Sequence, residues 1–234
     1  MSSKTKKTNR KKTLIHSSRQ DVLPVFLIPH AGEAYAGHAR KKAFLSMSLK
    51  RRKLVKRIHY ISAVHSWKKE VDHSYYWVRD ELLRYFPHAA HIIYSPQSWQ
   101  ESERIAKKLV PTKALVIGTT DLMHYGPHYK YTDNLSLSLA QRRKWKVNME
   151  KVFLKTITDV NSQEMRDEYE DNPHLACGPY SIYCLLRYME LQDTKRKGCI
   201  KAYYDSLDTK YVKNKKRSVS DSKNFVSYVS IKFI

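Results

Sequence analysis

Five side chains that can bind a metal ion or carry a proton follow predicted strands or precede a predicted helix. His30 follows the apolar run LPVFLI, and His65 follows RIHYISAV. The segment TTDLMHYG places Asp121 and His124 after KALVIGTT, and Cys177 lies in HLACGPYS, directly before a predicted helix. Imidazole exchanges protons near neutral pH, and imidazole with thiolate is a donor set suited to iron, copper and zinc.

The position of these residues at strand ends predicts one shared site. Ligands of α/β sheets bind beyond the carboxyl ends of the strands, where loops converge and helix N-termini point. Two imidazoles and a thiolate are enough for a metal site that keeps a position open to water or substrate. The helix dipole favours the thiolate of Cys177. The spacing alone also fits a metal-free group that is held by hydrogen bonds, in which Asp121 caps a turn instead of orienting an imidazole.

The elements that must position these residues alternate along the chain. Short apolar runs predict strands, and segments of ten to fifteen residues with a helical pattern lie between most of them. The strands are predicted at 23–28, 57–64, 90–95, 113–120, 199–206 and 225–234, and the helices at 37–52, 73–86, 96–110, 135–154, 162–169 and 178–192. This alternation predicts an α/β fold with a mostly parallel or mixed central sheet covered on both faces. We expect a basic disordered arm at 1–21 and one domain at 22–234.

The charge of the chain is strongly positive and clustered. The sequence has 44 Lys and Arg residues against 22 Asp and Glu residues, a formal net charge of +22. Basic runs without an acid occupy residues 1–12 and the stretch from His38 to Arg57, and a third basic run extends from Lys195 to Arg217. Such clusters predict binding of nucleic acid or another polyanion through the arm and the Arg40–Arg57 face. The alternative is a surface that only keeps the protein in solution.

Composition excludes several classes of protein. Hydrophobic residues make up 41% of the chain and there are 17 tyrosines, so the chain as a whole is not expected to be disordered. The N-terminus lacks the apolar core of a signal peptide, and no run is long enough to span a bilayer. We therefore expect an intracellular, cytoplasmic protein, with nuclear import through the basic arm as an alternative. The three cysteines are expected to be reduced, with Cys184 and Cys199 in the core.

Five segments, in order, resemble the motifs of the MEMO family: IPHAGEAYAG, YISAVHS, VDHSYYW, IGTTDLMHYG and ACGPYSI. The resemblance spans most of residues 23–192. It implies the α/β sandwich of class III extradiol ring-cleavage dioxygenases, with His30, His65 and Cys177 as metal ligands. It also implies that Asp121, His124 and His73 line the same pocket as candidate catalytic groups. The family is associated with iron (Fe²⁺) or copper, with redox chemistry and, in animals, with phosphotyrosine-receptor signalling.

The sequence also departs from the family pattern. Ser66 stands where the second His of the paired motif would be, and Tyr76 stands where an acid would follow the VDHS segment. The stretch between these two motifs is shortened. The resemblance therefore supports metal binding more strongly than catalysis on a small-molecule substrate. The hypothesis is a protein that binds iron, with copper and then zinc as alternatives, and has redox or dioxygenase-type chemistry. The alternative is an inactive scaffold that binds polyanions, nucleic acid or an acidic or phosphorylated peptide.

Overall fold

The computed structural model describes residues 23–65, 73–193, 195–213 and 223–234. The predicted arm at 1–21 lies outside these residues, as do Ser66 and Asp72 of the family-like motifs. Within the described part, seven strands and seven α-helices form one α/β body. The strands are β1 (Val25–Ile28), β2 (Arg57–Ile61), β3 (Ala90–Tyr94), β4 (Leu115–Thr119), β5 (His124–Tyr125), β6 (Gly198–Asp205) and β7 (Phe225–Phe233). The helices are α1 (Glu33–Leu45), α2 (Leu49–Leu54), α3 (His73–Tyr85), α4 (Trp99–Leu109), α5 (Leu139–Thr158), α6 (Ser162–Asp171) and α7 (Pro179–Leu191).

The sheet is mixed, and its parallel half carries the strands that precede the candidate site. The strand order is β3-β2-β4-β1-β7-β5, and β6 pairs with β7 outside that order. Strands β3, β2, β4 and β1 are parallel to their neighbours in this half, whereas β7 is antiparallel to β1, β5 and β6. The carboxyl ends of β1, β2 and β4 therefore meet at one edge of the sheet.

Both faces of the sheet are covered, as the continuous apolar strands predict. Along β1 the side chains alternate between two cores: Val25 and Leu27 belong to one, and Phe26 and Ile28 to the other. The first core packs against α4, α5 and α7, and the second packs against α1 and α3. With every residue of β1 and β4 buried, the strand register is fixed by packing on two sides.

Serine residues explain why three predicted helices have other bounds in the structure. The single helix predicted at 37–52 is two helices, because the Ser48 side chain caps α2 by accepting the Arg51 N–H at 3.3 Å. Ser98 caps α4 in the same way, so this helix begins at Trp99. Ser138 forms a capping box at the start of α5, which runs to Thr158 instead of Leu154.

Other predictions are confirmed or corrected by burial. Pro179 is the first residue of α7, as expected for a helix that starts at GPY. Cys184 is buried, as predicted, but Cys199 lies exposed on β6, so its assignment to the core was wrong.

The two-residue strand β5 was missed, because so short a segment has no periodicity. No helix in the described ranges has the length and apolar character needed to cross a bilayer.

Candidate metal centre

The topology brings the predicted residues together at the carboxyl edge of the parallel strands. His30 lies two residues after β1, His65 lies four residues after β2, and Asp121 lies two residues after β4. Cys177 lies two residues before α7, and His124 opens β5. The ligand atoms of His30, His65 and Cys177 all lie within 4.8 Å of one another. These three residues form a group that can hold a metal ion.

The turn that carries His30 is held from inside by a buried arginine. One amino group of Arg40 donates to the carbonyl oxygens of Pro29 at 3.1 Å and Ala31 at 2.6 Å. The Arg40 Nε donates to Glu81 at 2.9 Å, so the positive charge of the arginine is paired with a carboxylate. Arg40 is fully buried. Its assignment to a polyanion-binding face was therefore wrong, because it fixes the backbone on both sides of His30.

Cys177 is fixed to the loop after β4 by backbone contacts. The Cys177 N–H donates to the Asp121 carbonyl at 3.1 Å, and the Asp121 N–H donates to the Cys177 sulfur at 3.3 Å. An isolated β-bridge between Leu122 and Ala176 holds the two segments in register. The thiol and the carboxylate are thus placed next to each other by the backbone, independently of side-chain packing.

The glycine after Cys177 permits this close approach. A Cβ at Gly178 would lie 2.7 Å from the Thr119 carbonyl oxygen and 2.7 Å from the Ala63 Cβ. The Gly178 N–H donates to the Thr120 hydroxyl at 3.1 Å. Any larger residue would push the start of α7, and Cys177 with it, away from the ends of β2 and β4. Steric contact therefore explains why glycine follows Cys177.

The two distances from the His30 Nε2 to the other donor atoms are close to those around one small ion. The His30 Nε2 lies 3.1 Å from the His65 Nε2 and 3.5 Å from the Cys177 Sγ. Two nitrogens at about 2.0–2.1 Å and a sulfur at about 2.3 Å from a tetrahedral ion are separated by about 3.3 Å (N to N) and about 3.6 Å (N to S). The donor set and its spacing therefore fit a transition-metal ion.

Asp121 contacts both the backbone and the ring of His30. Its Oδ1 accepts the His30 N–H at 3.0 Å and the Ala31 N–H at 3.4 Å, and its Oδ2 lies 3.6 Å from the His30 Nε2. Asp121, His124 and Cys177 form a second group whose ligand atoms lie within 4.8 Å of one another. The described hydrogen bonds of this carboxylate thus go to the turn that carries His30, and its role in orienting the imidazole stays a prediction.

Burial favours the uncharged forms of His30, His124 and Cys177 in the absence of a cation. Desolvation lowers the pKa of His30 to about 3, with a further contribution from the charge of Arg40. Desolvation also lowers the pKa of His124 to about 4, partly offset by Asp121. Burial first and Asp121 second raise the pKa of the Cys177 thiol. The helix dipole was expected to favour the thiolate, and burial opposes this in the absence of a cation.

Two ring nitrogens of the cluster have no hydrogen-bond partner among the described residues. They are the Nδ1 of His30 and the Nε2 of His124, and both are buried. Buried polar atoms are usually paired, so the His124 Nε2 points to a group from outside the protein, whereas the His30 Nδ1 is the ring nitrogen that does not face His65 and Cys177. The side chain of His73, the remaining predicted pocket residue, is outside the described part, although its backbone begins α3.

A cavity of about 360 Å³ opens beside the centre. His65, His124 and Cys177 contribute to its wall, together with Tyr129, Tyr169 and Tyr180. The three tyrosines were missed by sequence reasoning, and only Tyr180, in the segment CGPY, lay close enough to a motif to be found. His174 also lines the cavity and stacks on Tyr131 with ring centroids 3.9 Å apart.

Comparison with known protein families assigns the chain. Residues 92–225 match the family described as Memo-like protein, and this segment is more than half of the chain. It contains Asp121, His124 and Cys177, whereas His30 and His65 lie before it. No curated protein matches the sequence. The matched segment includes the last two of the five motifs, IGTTDLMHYG and ACGPYSI, and the chain belongs to the Memo-like protein family.

Proposed function

We propose that this protein is a non-haem metal-binding protein whose ion is held by His30, His65 and Cys177. The observation that carries the proposal is that two imidazole nitrogens and a sulfur face one another at 3.1 and 3.5 Å at the carboxyl edge of the sheet. Neutral imidazoles are the form in which histidine binds a metal, and the low pKa of His30 keeps it in that form near neutral pH.

The donor set limits the identity of the metal. Nitrogen and sulfur donors favour iron, copper or zinc, and disfavour magnesium and calcium, which prefer oxygen ligands. The resemblance to the MEMO family favours iron, with copper next and zinc last. When bound, iron or copper supplies one-electron redox chemistry beside the cavity. The redox or dioxygenase-type activity of the proposal depends on that property.

The remaining residues of the cluster have separate tasks. Asp121 holds the His30 turn through two backbone N–H groups and lies beside its ring. His124 is neutral near pH 7 because burial lowers its pKa to about 4, so its ring offers a hydrogen-bonding nitrogen to a bound molecule, and transient proton acceptance there is the role that we propose. Cys177 must release its proton when a cation binds, because the thiolate is the ligand. A role for His73 in proton transfer remains a prediction from the resemblance.

The cavity indicates the kind of molecule that could reach the centre. Its described lining consists of histidine, tyrosine, proline and small apolar residues, with no Lys, Arg, Asp or Glu among them. Tyrosine walls contact flat or apolar groups and offer hydroxyls as hydrogen-bond partners. We therefore expect a small molecule without a strong charge, close to the metal position and within reach of His124.

Cobalt(II) is a suitable probe of the ligand set, since it gives optical bands that report thiolate binding. Tag-free protein titrated with Co²⁺ without oxygen should give a sulfur-to-metal band at one equivalent. His65→Ala should remove the saturable band, whereas His59→Ala should keep it. His59 is a matched control because it is a buried histidine that is hydrogen-bonded to Tyr94 and is not one of the proposed ligands. An identical titration for wild type and His65→Ala contradicts the proposed ligand set.

The redox part of the proposal needs a second readout. Iron-loaded wild type and His124→Ala are compared for oxygen consumption with an added reductant, at equal iron content. The proposal expects turnover in the wild type and a slower rate, by about 100-fold, in the variant that has lost the proton acceptor. Equal rates in both proteins would show that His124 has no part in the chemistry, and no consumption in either would leave metal binding without this redox function.

A further inference from the structure

The corner between α1 and β2 exposes three leucines to solvent. Leu45 is 48% exposed, Leu49 57% and Leu54 65%. They lie within ten positions of one another, at the end of α1 and at both ends of α2. Single exposed leucines are ordinary on protein surfaces, but a concentration of them in one short segment marks a contact surface.

Helix α2 presents two of these leucines on one face together with two lysines. At 100° per residue, positions 49, 53, 50 and 54 fall within an arc of about 140°. All four are exposed, whereas the two arginines between them, at 51 and 52, are half-buried. Across the arc the order is therefore Leu49, Lys53, Lys50 and Leu54, with apolar side chains outside and ammonium groups between. We call these four residues the leucine-lysine face.

The leucine-lysine face is held in place by contacts on its other side. Ser48 caps α2, and the Arg52 guanidinium lies over the Tyr85 ring at 5.6 Å. The Lys232 ammonium donates to the Ser46 carbonyl at 3.0 Å, which ties the turn between α1 and α2 to β7. The exposed side of α2 is thus a fixed feature of the folded protein.

The surroundings of the leucine-lysine face are positively charged. The sequence has no Asp or Glu from Ala34 to Lys69. The pKa of Lys232 is lowered, first by burial and then by the charges of Lys201 and Arg51. These three cations therefore lie near one another beside α2. Further exposed cations near α2 in the sequence are Lys41, Lys42, Lys56 and Arg57. A partner with a negative surface complements this corner.

We propose that the leucine-lysine face docks the protein on an anionic lipid bilayer. The leucines at the two edges of the arc enter the boundary of the acyl chains, and the flexible stems of the lysines between them let the ammonium groups reach back to the lipid headgroups. A nucleic acid would satisfy the lysines but leave the leucines in water. It would also stack on aromatic rings, and the only aromatic residue within 41–57, Phe44, is fully buried.

The experiment is flotation of the full-length protein with lipid vesicles. Vesicles of phosphatidylcholine alone are compared with vesicles that contain about a third of phosphatidylserine, at low and high salt. We expect binding to the anionic vesicles, little binding to the neutral ones, and weaker binding at high salt. Equal binding to both kinds of vesicle, or binding to neither, overturns the proposal.

Two variants separate the apolar and the ionic contributions. Leu49→Ser with Leu54→Ser keeps all charges and should weaken binding to anionic vesicles by about tenfold or more. Lys50→Gln with Lys53→Gln keeps the leucines and should weaken binding by about tenfold at low salt, with a smaller salt dependence. Both pairs are exposed, so thermal unfolding of the variants should match the wild type.

A matched control lies on α5, where Val152 is 49% exposed next to the exposed Lys151. Val152→Ser with Lys151→Gln removes the same kinds of group from another surface and should leave vesicle binding unchanged. If the leucine variant binds vesicles as the wild type does, the face is not a bilayer contact. The partner is a nucleic acid if two results occur together. Only the lysine variant loses vesicle binding, and the wild type binds single-stranded RNA of mixed sequence more tightly than vesicles while the lysine variant does not bind this RNA.

Discussion

Two clusters of buried ionisable groups contact the loop after β4, and they differ in how completely the protein pairs their polar atoms. The metal-centre cluster consists of His30, His65, Asp121, His124 and Cys177. The α5–β6 cluster consists of Lys146, Glu150, Tyr203 and Asp205, and three of these residues are buried while Tyr203 is half-buried. Both are rich in groups that could bind a ligand, so composition alone does not distinguish them.

The α5–β6 cluster is paired internally. Lys146 and Arg143 donate to the Asp205 Oδ2 at 3.1 and 2.9 Å, and the Leu207 N–H donates to its Oδ1 at 3.0 Å. One oxygen of Glu150 accepts the Met123 N–H at 3.1 Å, and the other accepts the Tyr203 hydroxyl. Each carboxylate oxygen has a donor, and the cluster ties α5 to β6 and to the loop after β4.

In the metal-centre cluster, two imidazole rings are paired less completely. His30 and His124 each have a buried ring nitrogen with no partner among the described residues, and the remaining contacts bring potential ligand atoms face to face. The comparison shows that burial and charge do not mark a binding site by themselves. A group of three His, Cys or carboxylate ligand atoms within 4.8 Å of one another does, and of the two clusters only the metal centre has one among the described residues.

The largest expected effect comes from breaking the ion pair under the metal centre. Arg40→Met leaves Glu81 buried without its partner and releases the carbonyls of the His30 turn, so we expect a loss of stability of about 3–5 kcal/mol. Replacing both residues, as Arg40→Met with Glu81→Leu, should recover much of it. Denaturant unfolding measures both variants, and a loss below about 1 kcal/mol in the single variant would show that the pair does not hold the turn.

The next prediction distinguishes the carboxylates of the two clusters. Asp121→Asn keeps the shape but removes the charge beside His30, and should weaken metal binding by about 10- to 100-fold. Asp205→Asn should lower stability, because Lys146 loses its charged partner, and should leave metal affinity unchanged. Competition titration against a chelator measures the affinity. The comparison fails if the two variants lose metal affinity to the same extent.

The smallest effect is expected at Glu150, where burial raises the pKa of the carboxyl. A group with a raised pKa in the folded state stabilises the protein fully below its unfolded pKa, and that contribution is lost as pH rises through the folded pKa. The free energy of unfolding of Glu150→Gln should therefore equal that of the wild type in acid. As the pH rises, the variant should become more stable than the wild type by about 1 kcal/mol, the size usual for a buried polar group. Unfolding at several pH values tests this, and a variant that is less stable at neutral pH would contradict it.

Much of the fold and of the metal centre could be predicted because both depend on local patterns. The apolar runs that become β1 and β4 are continuous, so their ends, and the positions of His30 and Asp121 beyond them, follow from the sequence. Parallel strands between helices place their carboxyl ends together, which brings His65 into the same group. The order of five short motifs then identifies the family over these positions.

The parts that could not be predicted depend on contacts between distant residues. In the sequence, Arg40 cannot be distinguished from the other cations of a basic run. Its partner Glu81 comes from another helix and meets it only in the folded protein. The thiol of Cys177 precedes a helix, yet desolvation by surrounding residues outweighs the dipole. The tyrosines of the cavity come from separate elements, and no spacing in the sequence relates them.

The most direct test of the central claim is the metal content of tag-free protein by elemental mass spectrometry, with Cys177→Ala and Cys199→Ala beside the wild type. Cys199 is the exposed cysteine on β6 and controls for non-specific binding to a thiol. After anaerobic reconstitution with Fe²⁺, wild type and Cys199→Ala should each hold about one ion per chain, and Cys177→Ala should hold almost none while keeping its fold by circular dichroism. The same iron content in all three proteins, or none in the wild type, would contradict the assignment of His30, His65 and Cys177 as a metal site.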